Sequence, residues 1–288
     1  MSVSMPSTNR PIVSVGLFVY NAANSIREAI DSILSQSFEN FELIISDNAS
    51  TDNTEQICRE YADRDSRIRY IRQPKNLGAG ANLLFVLDEA QGAFFMWAAH
   101  DDVRSDDFLE SNLEFLLENK DFVASTSPVR FIDGLPDSVK MGDKSLDQLT
   151  AEERFMATLL TWHACGRFYS LMRRSAIVES KIIRKKDYIG SDIAFIMELA
   201  LKGKFNRLEQ GYVALGRDGI SGSGNIYGAY RTRLLSWVLP LHEFSAEIWK
   251  LSNSFPFNIR IRIAGEIFKM NLISFLHQIK IESKRKFS

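Results

Sequence analysis

The chain has 288 residues, of which 45% are hydrophobic and 25% are charged, a balance typical of a folded globular protein. Thirty-five Lys and Arg face 36 Asp and Glu, and the resulting net charge of −1 excludes a whole-chain basic surface for nucleic acid. The two cysteines, Cys58 and Cys165, are far apart, which excludes a disulfide framework or a Cys-rich zinc site and indicates a reducing, cytosolic compartment.

The N-terminal part alternates short apolar segments with stretches of helical periodicity. The apolar segments predict four strands, at 12–19, 41–46, 68–72 and 93–97. Helices are predicted between them, and two begin with the capping patterns Ser25-x-x-Glu28 and Asp52-x-x-Glu55. This alternation indicates an α/β protein with a doubly wound, mainly parallel sheet flanked by helices. Ligands bind such sheets beyond the carboxyl ends of the strands, so the residues that follow each strand are the first site candidates.

The following part, up to residue 225, is predicted to be α+β and to supply the second wall of a cleft. Four short strands are predicted, at 122–125, 129–132, 168–172 and 212–215. The capping pattern Thr150-x-x-Glu153 predicts a helix start, and apolar spacing predicts another helix over 192–201. The segment 216–228 is rich in Gly and Ser, which indicates a loop.

Beyond residue 225 the pattern becomes helical and basic. Apolar residues alternate spacings of four and three from Tyr230 to Leu251, as in a helix packed on another helix, and Pro240 is expected to kink or split it. A further helix is predicted from about 258 to 281. Residues 226–288 hold ten Lys and Arg but only four Glu, a net charge of +6. We expect this extension to pack on the body or across a homodimer, and its basic end to touch an anionic membrane surface.

These patterns divide the chain into a polar tail (1–10), an α/β domain (11–225) and a basic helical extension (226–288). The first ten residues lack the apolar core of a signal peptide. No apolar run reaches the 18 residues that a transmembrane helix needs. We therefore expect a cytoplasmic protein with peripheral contact at the inner face of the plasma membrane.

Acidic side chains follow two of the predicted parallel strands. Asp47 comes at the end of the second strand, where its carboxylate can accept hydrogen bonds from a ligand. His100-Asp101-Asp102 follows the fourth strand directly. Adjacent carboxylates repel each other unless a cation is present, so Asp101 and Asp102 predict a Mn²⁺ or Mg²⁺ site. His100 is a candidate third ligand.

Three further segments have both a functional and a structural interpretation. Asp192 lies in the first turn of a predicted helix, where a carboxylate either interacts with the helix dipole or acts as a general base. The Gly-rich segment from Arg217 to Ser221 can close over a pyrophosphate or can be a surface loop. Asn76-Leu77-Gly78 indicates a tight turn.

Taken together, these segments resemble the family 2 glycosyltransferases, which have the GT-A fold. The matching pieces run in the family's order between residues 11 and 221: Tyr20-Asn21 after the first strand, Asp47-Asn48 after the second, Asn76-x-Gly78, Asp101-Asp102 and Gly190-Ser191-Asp192. The resemblance implies transfer of a sugar from a UDP-, GDP- or dTDP-sugar to an acceptor hydroxyl, with inversion and with metal assistance.

The resemblance also implies roles for individual residues. The nucleotide sugar would be held by Tyr20, Asn21, Asp47, Asn76, Gly78, Asp101, Arg217 and Ser221. Asp101 would match the metal-binding carboxylate of the family's Asp-x-Asp motif, and Asp192 would match the catalytic base. The acceptor would be a glycan or a lipid-linked glycan in surface polysaccharide or glycolipid biosynthesis.

Two positions depart from the family pattern. Ala99 stands where the first Asp of Asp-x-Asp falls, and Ser191 stands where a Glu often precedes the base. Ala99 keeps a second hypothesis open, in which the chain is a relative that binds a nucleotide sugar or a partner enzyme without turnover.

Overall fold

The central element of the fold is a seven-stranded sheet, whose strands fall between residues 13 and 207. The computed structural model describes residues 10–132, 144–161, 166–185, 187–216, 226–231 and 234–287. The strands are β1 (Val13–Val19), β2 (Phe41–Asp47), β3 (Ile68–Arg72), β4 (Phe94–Ala98), β5 (Val103–Arg104), β6 (Phe122–Thr126), β7 (Val129–Phe131), β8 (Leu171–Arg173), β9 (Lys204–Arg207) and β10 (Val213–Leu215). The helices are α1 (Ile26–Leu34), α2 (Thr54–Ala62), α3 (Ala79–Asp88), α4 (Phe108–Glu118), α5 (Ala151–Leu160), α6 (Arg174–Val178), α7 (Ser191–Lys202), α8 (Ile226–Tyr230), α9 (Leu235–Val238), α10 (His242–Leu251) and α11 (Phe257–Phe287).

The sheet confirms the predicted α/β, mainly parallel architecture. Its strand order is β3-β2-β1-β4-β8-β6-β9, and the first four strands are mutually parallel. Strand β8 runs antiparallel to both of its neighbours, β4 and β6. A second, three-stranded sheet has the order β5-β10-β7, and all three of its strands follow β4 in the sequence.

The register of the parallel strands brings their carboxyl ends to one edge. Val19 pairs with Asp47, and Asp47 pairs with Arg72, so β1, β2 and β3 end level with each other. Leu17 pairs with Ala98, which ends β4 two residues before the end of β1. The loops that follow these four strands therefore meet at the same edge, as the sequence predicted.

Both faces of the sheet are covered, because its central strands are apolar on both sides. Val13, Val15 and Leu17 pack on the face covered by α1 and α4. On the other face Gly16 lets α3 approach closely, since a Cβ there would lie 2.7 Å from Val86 Cγ2. On that second face Trp97 is fully buried and stacks on Phe168, with 4.9 Å between ring centroids.

Two predicted capping patterns have different outcomes. The Thr150 hydroxyl accepts from the Glu153 amide, and the Glu153 carboxylate accepts from the Thr150 amide, so the predicted capping box is present. The prediction for Ser25 was wrong: it makes no side-chain cap, and its Oγ instead lies 2.9 Å from His100 Nδ1. Because this hydroxyl hydrogen-bonds to a residue of another loop, it does not cap the helix.

The extension folds as predicted around Pro240, which lies between α9 and α10. In the second half of this segment, the regularly spaced apolar residues Phe244 and Ile248 are buried. Helix α11 is 31 residues long and packs on α10 and α5. Among the helices that the structure describes, none combines the length and apolar character needed to cross a bilayer. The division of the chain at residues 225 and 226 stays a prediction.

Candidate active site

The loop after β1 is fixed to the loop after β2 by hydrogen bonds. Asn21 has a positive φ of 51°, and its Oδ1 accepts from the Thr51 amide at 2.8 Å. The Asn21 amide donates to Ser50 Oγ at 2.9 Å. These bonds use the backbone amide and the side-chain oxygen of Asn21, which is exposed, and the neighbouring Tyr20 is 45% exposed. Both residues are therefore exposed at this edge, Tyr20 with its ring and Asn21 with its side-chain oxygen already hydrogen-bonded.

Asp47 is completely buried at the end of β2, and both of its carboxylate oxygens accept hydrogen bonds from other residues of the chain. Its Oδ1 accepts from the Ser50 amide at 2.8 Å, and its Oδ2 accepts from the Tyr70 hydroxyl at 2.8 Å. Burial, followed by the hydrogen bond to Asp47, raises the pKa of Tyr70, so the phenol remains a donor. Asp47 thus shapes the loop after β2, and its contact with a nucleotide, which stays a prediction, would require Tyr70 or the loop to move.

Amide side chains join the loop after β2 to the turn after β3. Asn48 Nδ2 donates to Asn76 Oδ1 at 3.0 Å, and Asn48 Oδ1 accepts from the Leu77 amide at 2.7 Å. Asn76 Oδ1 also accepts from the amide of Gly78, whose φ is 87°. The predicted tight turn is therefore present, and it exposes Asn76 and Gly78 at the strand-end edge.

Asn82 is a structural residue at this edge to which the sequence analysis gave no role. It is buried in α3, donates to the Ser46 carbonyl at 2.8 Å and accepts from Ser46 Oγ at 2.5 Å. Its Nδ2 also lies 3.4 Å from the Val19 carbonyl. Asn82 therefore ties the ends of β1 and β2 together beneath the exposed loops.

The three residues after β4 have different environments. His100 is half-buried, and its Nδ1 contacts Ser25 Oγ. Asp101 is also half-buried and lies so close to Gly216 that a Cβ on this glycine would collide with its carboxylate. Asp102 is buried, and its Oδ1 accepts from the Gly216 amide at 3.1 Å. Both acids therefore lie against the residue that precedes the loop of Arg217.

Asp102 carries a charge that its surroundings balance incompletely. Its Oδ2 is buried and has no hydrogen-bond partner among the described residues. Burial raises the pKa of Asp102 to about 6, although the nearby buried guanidinium of Arg104 acts in the opposite direction. Arg104 donates to the Trp97 carbonyl at 3.2 Å, and the sequence analysis missed it because a lone Arg in a short strand has no distinctive pattern.

The donor set at this point fits a hard cation that takes most of its ligands from a substrate. Across the described ranges, no cluster of three or more His, Cys, Asp or Glu could hold an ion by itself. Asp101 and Asp102 supply two carboxylates, and the unsatisfied Asp102 Oδ2 is an acceptor that a cation would stabilise. Mg²⁺ and Mn²⁺ are commonly held by one or two carboxylates together with substrate phosphates.

Asp192 lies in the first turn of α7, half-buried, after a sharp turn at Gly190. Gly190 has a φ of 82°, and Phe244 of α10 packs against it. The extension therefore supports the start of the helix that carries Asp192.

Two groups near Asp192 were missed by the sequence analysis. Desolvation, followed by the charge of Asp192, raises the pKa of Asp187. The Tyr230 pKa is raised by burial and then by the charges of Asp187 and Asp192. The sequence predicts Tyr230 only as the first residue of an apolar helix face. Asp187 also packs against Gly80 of α3, where a Cβ would lie 2.7 Å from Asp187 Oδ2.

The contact between Asp187 and Gly80 brings the start of α7 to the edge formed by the parallel strands. Gly80 belongs to the first turn of α3, which follows the exposed turn at Asn76 and Gly78. Asp192 and the loops after β1, β2 and β3 thus border one region. Arg217 and Ser221, the predicted contacts to the diphosphate, lie outside the described residues.

Sequence comparisons find one matching family model and several related proteins. A model described as "Glycosyl transferase family 2" matches residues 14–180. An "Uncharacterized glycosyltransferase" of Haemophilus influenzae is 28% identical over 219 residues, which cover 74% of this chain and 83% of that protein. The "Putative teichuronic acid biosynthesis glycosyltransferase TuaG" of Bacillus subtilis is 38% identical over 109 residues, covering 38% of this chain and 43% of that protein. The match to TuaG therefore spans less than half of its length.

Solved structures with the same fold are similar over most of the chain. TarS residues 1–349 of S. aureus in complex with UDP-GlcNAc has a TM-score of 0.66 at 20% identity, covering 89% of this chain and 71% of that one. The mannosyltransferase PcManGT of Pyrobaculum calidifontis in complex with GDP-Man and Mn²⁺ has a TM-score of 0.59 at 14% identity, covering 98% and 76%. At these identities the likeness shows a shared fold, which is the GT-A fold predicted above.

Proposed function

The chain belongs to glycosyl transferase family 2, and from this membership we propose that it moves a sugar from a nucleotide diphosphate sugar to an acceptor hydroxyl, with inversion. The observation that carries the proposal is the packing of Asp187 on Gly80. This contact joins the start of α7, with Asp192, to the edge where β1, β2 and β3 end. A carboxylate base and a nucleotide site are thereby available in one region.

The donor is proposed to lie over the strand ends. Tyr20 offers an exposed ring for the base, and Asn76 and Gly78 offer exposed polar groups at the neighbouring turn. Asn21 and Asp47 are proposed to act mainly by holding the loops in place, since Asn21 Oδ1 and both Asp47 carboxylate oxygens accept hydrogen bonds within the protein. Structures of the same fold bind UDP-GlcNAc and GDP-Man, which supports a nucleotide sugar as the donor. We propose that it is a UDP-, GDP- or dTDP-sugar.

Asp101 and Asp102 are the residues that would hold a divalent cation at the diphosphate. When bound, Mn²⁺ or Mg²⁺ neutralises charge on the leaving nucleotide, a contribution of several kcal/mol in metal-assisted reactions. The Mn²⁺ complex of PcManGT supports this choice of ion. The backbone amide of Gly216 keeps Asp102 Oδ1 in place, so its Oδ2 is the oxygen left for a cation.

Asp192 is proposed as the general base on the acceptor side. Its carboxylate takes the proton of the acceptor hydroxyl while that oxygen bonds to the anomeric carbon. The bond from this carbon to the diphosphate oxygen breaks, and its electron pair leaves with the nucleotide. Attack from the face opposite the diphosphate inverts the anomeric centre. Gly190 and Phe244 fix the start of α7, which limits the movement of the base.

The acceptor is proposed to be a glycan or a lipid-linked glycan used in surface polysaccharide or glycolipid assembly. The similarity to TuaG, whose name refers to teichuronic acid biosynthesis, supports this acceptor class.

Ala99 favours one second candidate, a relative that binds a nucleotide sugar or a partner without turnover. An Ala in place of the first Asp of Asp-x-Asp removes one carboxylate from the donor site. In that case the residues for donor binding would remain while transfer would be absent. The two candidates differ in turnover and agree in binding, so one experiment separates them.

The test measures binding and then turnover of UDP-, GDP- and dTDP-sugars, each with and without Mn²⁺. Thermal unfolding should show a stabilising donor, by about 2.7 kcal/mol at a hundredfold excess over its dissociation constant. That donor should then be hydrolysed or transferred, as seen from nucleotide release. Binding without release would favour the second candidate. The absence of any nucleotide-sugar binding would refute the transferase and leave only the form of the second candidate that binds a partner.

A further inference from the structure

Helix α11 buries one side against the body and exposes an apolar stripe on another. Ile263, Asn271 and Gln278 are buried on the inner side. The exposed stripe consists of Phe257, Ile261, Phe268, Leu272 and Ile279. At about 100° per residue these five positions fall within about 60° of one another around the helix. Two of them are large rings with most of their surface in solvent, Phe257 at 78% and Phe268 at 71%.

A second exposed apolar group adjoins the C-terminal half of this helix. Leu234, Leu235 and Val238, in and next to α9, are exposed. Helix α9 is attached to α11 because Gln278 Nε2 donates to the Trp237 carbonyl at 3.0 Å. We call α9 together with the α11 stripe the apolar face of the extension. The α11 stripe runs along most of the helix, and monomeric soluble proteins rarely expose a large apolar surface of this kind without a partner.

Cations lie along one flank of the apolar face. Arg262, Lys269 and Lys280 are exposed, and the helical angle places them on the side of the stripe away from the body. Arg262 and Lys280 form no ion pair with any residue in the described ranges. The whole of residues 226–288 carries a net charge of +6. An apolar stripe flanked by Lys and Arg is typical of a helix that lies in the plane of a membrane interface.

We propose that the apolar face of the extension binds an anionic lipid bilayer surface, with the α11 stripe in the acyl-headgroup boundary and the cations at the headgroups. Charge complementarity favours this partner over a second copy of the chain. Two extensions of the same chain would each bring +6 to a shared interface, whereas anionic lipid neutralises that charge.

The proposed position also bears on the acceptor, a consequence that rests on the proposed function. Helix α11 packs on α10, and Phe244 of α10 packs on Gly190 at the start of α7. Packed helices have axes about 8–10 Å apart and a helix radius is about 5 Å, so the start of α7 is within about 25 Å of the proposed lipid surface. This spacing suits an acceptor whose glycan extends from a lipid.

The test is flotation of the full chain with vesicles of phosphatidylcholine alone or with 30% phosphatidylserine. The protein should float with the anionic vesicles, and high salt should release it. Leu272→Glu, on the stripe, should reduce the bound fraction at least tenfold. Leu149→Glu is the matched control, because Leu149 is 86% exposed and lies outside the extension. It should float like the wild type.

A charge variant and two controls complete the test. Replacing Arg262 and Lys280 together by Gln should weaken binding to anionic vesicles by about 25-fold, since each basic residue contributes about a fivefold effect. Circular dichroism and donor binding should be unchanged in every variant, which separates this inference from the proposed function. Equal binding to neutral vesicles, no flotation, or a dimer in light scattering that Leu272→Glu dissociates would each overturn the proposal.

Discussion

The contact between Gly190 and Phe244 gives the sharpest test of how the extension supports the candidate base. Gly190 has a φ of 82°, a conformation that costs an Ala about 1–2 kcal/mol. A Cβ at this position would also lie 3.0 Å from Phe244 Cδ2, and overpacking of this kind costs about 1–3 kcal/mol. Gly190→Ala should therefore lower the free energy of unfolding by about 2–5 kcal/mol.

Gly78→Ala separates the two contributions to this loss of stability. Gly78 has a φ of 87°, but a Cβ there would meet no atom within 4 Å. This control should lose only the backbone part, about 1–2 kcal/mol. Urea denaturation of both variants measures the difference, which reports the contact with Phe244. Adding Phe244→Leu to Gly190→Ala should recover part of the difference, as a double-mutant cycle would show.

Gly190→Ala should also reduce transfer. A shift of about 1 Å at the start of α7 would move Asp192, and misplacement of this size can lower a rate by about 100-fold. Donor affinity should change little, because Tyr20 and the turn at Asn76 are on other elements. If Gly190→Ala and Gly78→Ala lose equal stability and Gly190→Ala transfers sugar at the wild-type rate, the reasoning about Phe244 is refuted.

Three further predictions concern the strand-end edge. Asp101→Asn should reduce turnover by orders of magnitude while thermal stability is kept, and wild-type activity that EDTA does not change would contradict the metal role. Asp102 has its pKa raised from 3.8 to about 6, so the folded state takes up a proton as the pH falls. In EDTA, wild-type unfolding free energy should therefore rise relative to Asp102→Asn between about pH 7 and pH 4, by about 2 kcal/mol in urea titrations; a constant difference would rule this out. Asn82→Ala should cost about 1–3 kcal/mol of stability and weaken donor binding in calorimetry, because it frees the ends of β1 and β2; unchanged affinity would count against that link.

The parallel part of the fold could be predicted because its signals are local. Strands β1, β2 and β4 are short apolar segments, and a buried strand needs little else to be recognised. Strand β3 has two Arg among its five residues, but its Ile and Tyr are local signals too. The capping box at Thr150 and the break at Pro240 are local as well. Strands β5 and β9 were not predicted, since β5 has two residues and β9 has one buried apolar residue, Phe205. Their pairing depends on neighbours that are distant in sequence.

The candidate site was predictable at strand ends and less so elsewhere. Asp47 and Asp101 follow strands, but only the structure shows that Asp47 is occupied by Tyr70 and Ser50. Tyr230 comes near Asp187 and Asp192 through the packing of the extension, which leaves no mark in local sequence. Asp187 is only five residues before Asp192, but its desolvation is set by the fold. Ser25 has the sequence pattern of a helix cap, but its hydroxyl contacts His100, because the fold brings the loop after β4 next to it.

The most direct measurement of the central claim is a paired one on Asp192→Asn. Calorimetry gives its affinity for the donor, and a transfer assay with a working acceptor gives its rate. Because general-base catalysis contributes about 10²–10⁴-fold, the variant should lose transfer by this factor while donor affinity and metal dependence remain. Transfer by Asp192→Asn near the wild-type rate would contradict the assignment. If Asp187→Asn loses transfer while Asp192→Asn keeps it, the base is Asp187 instead.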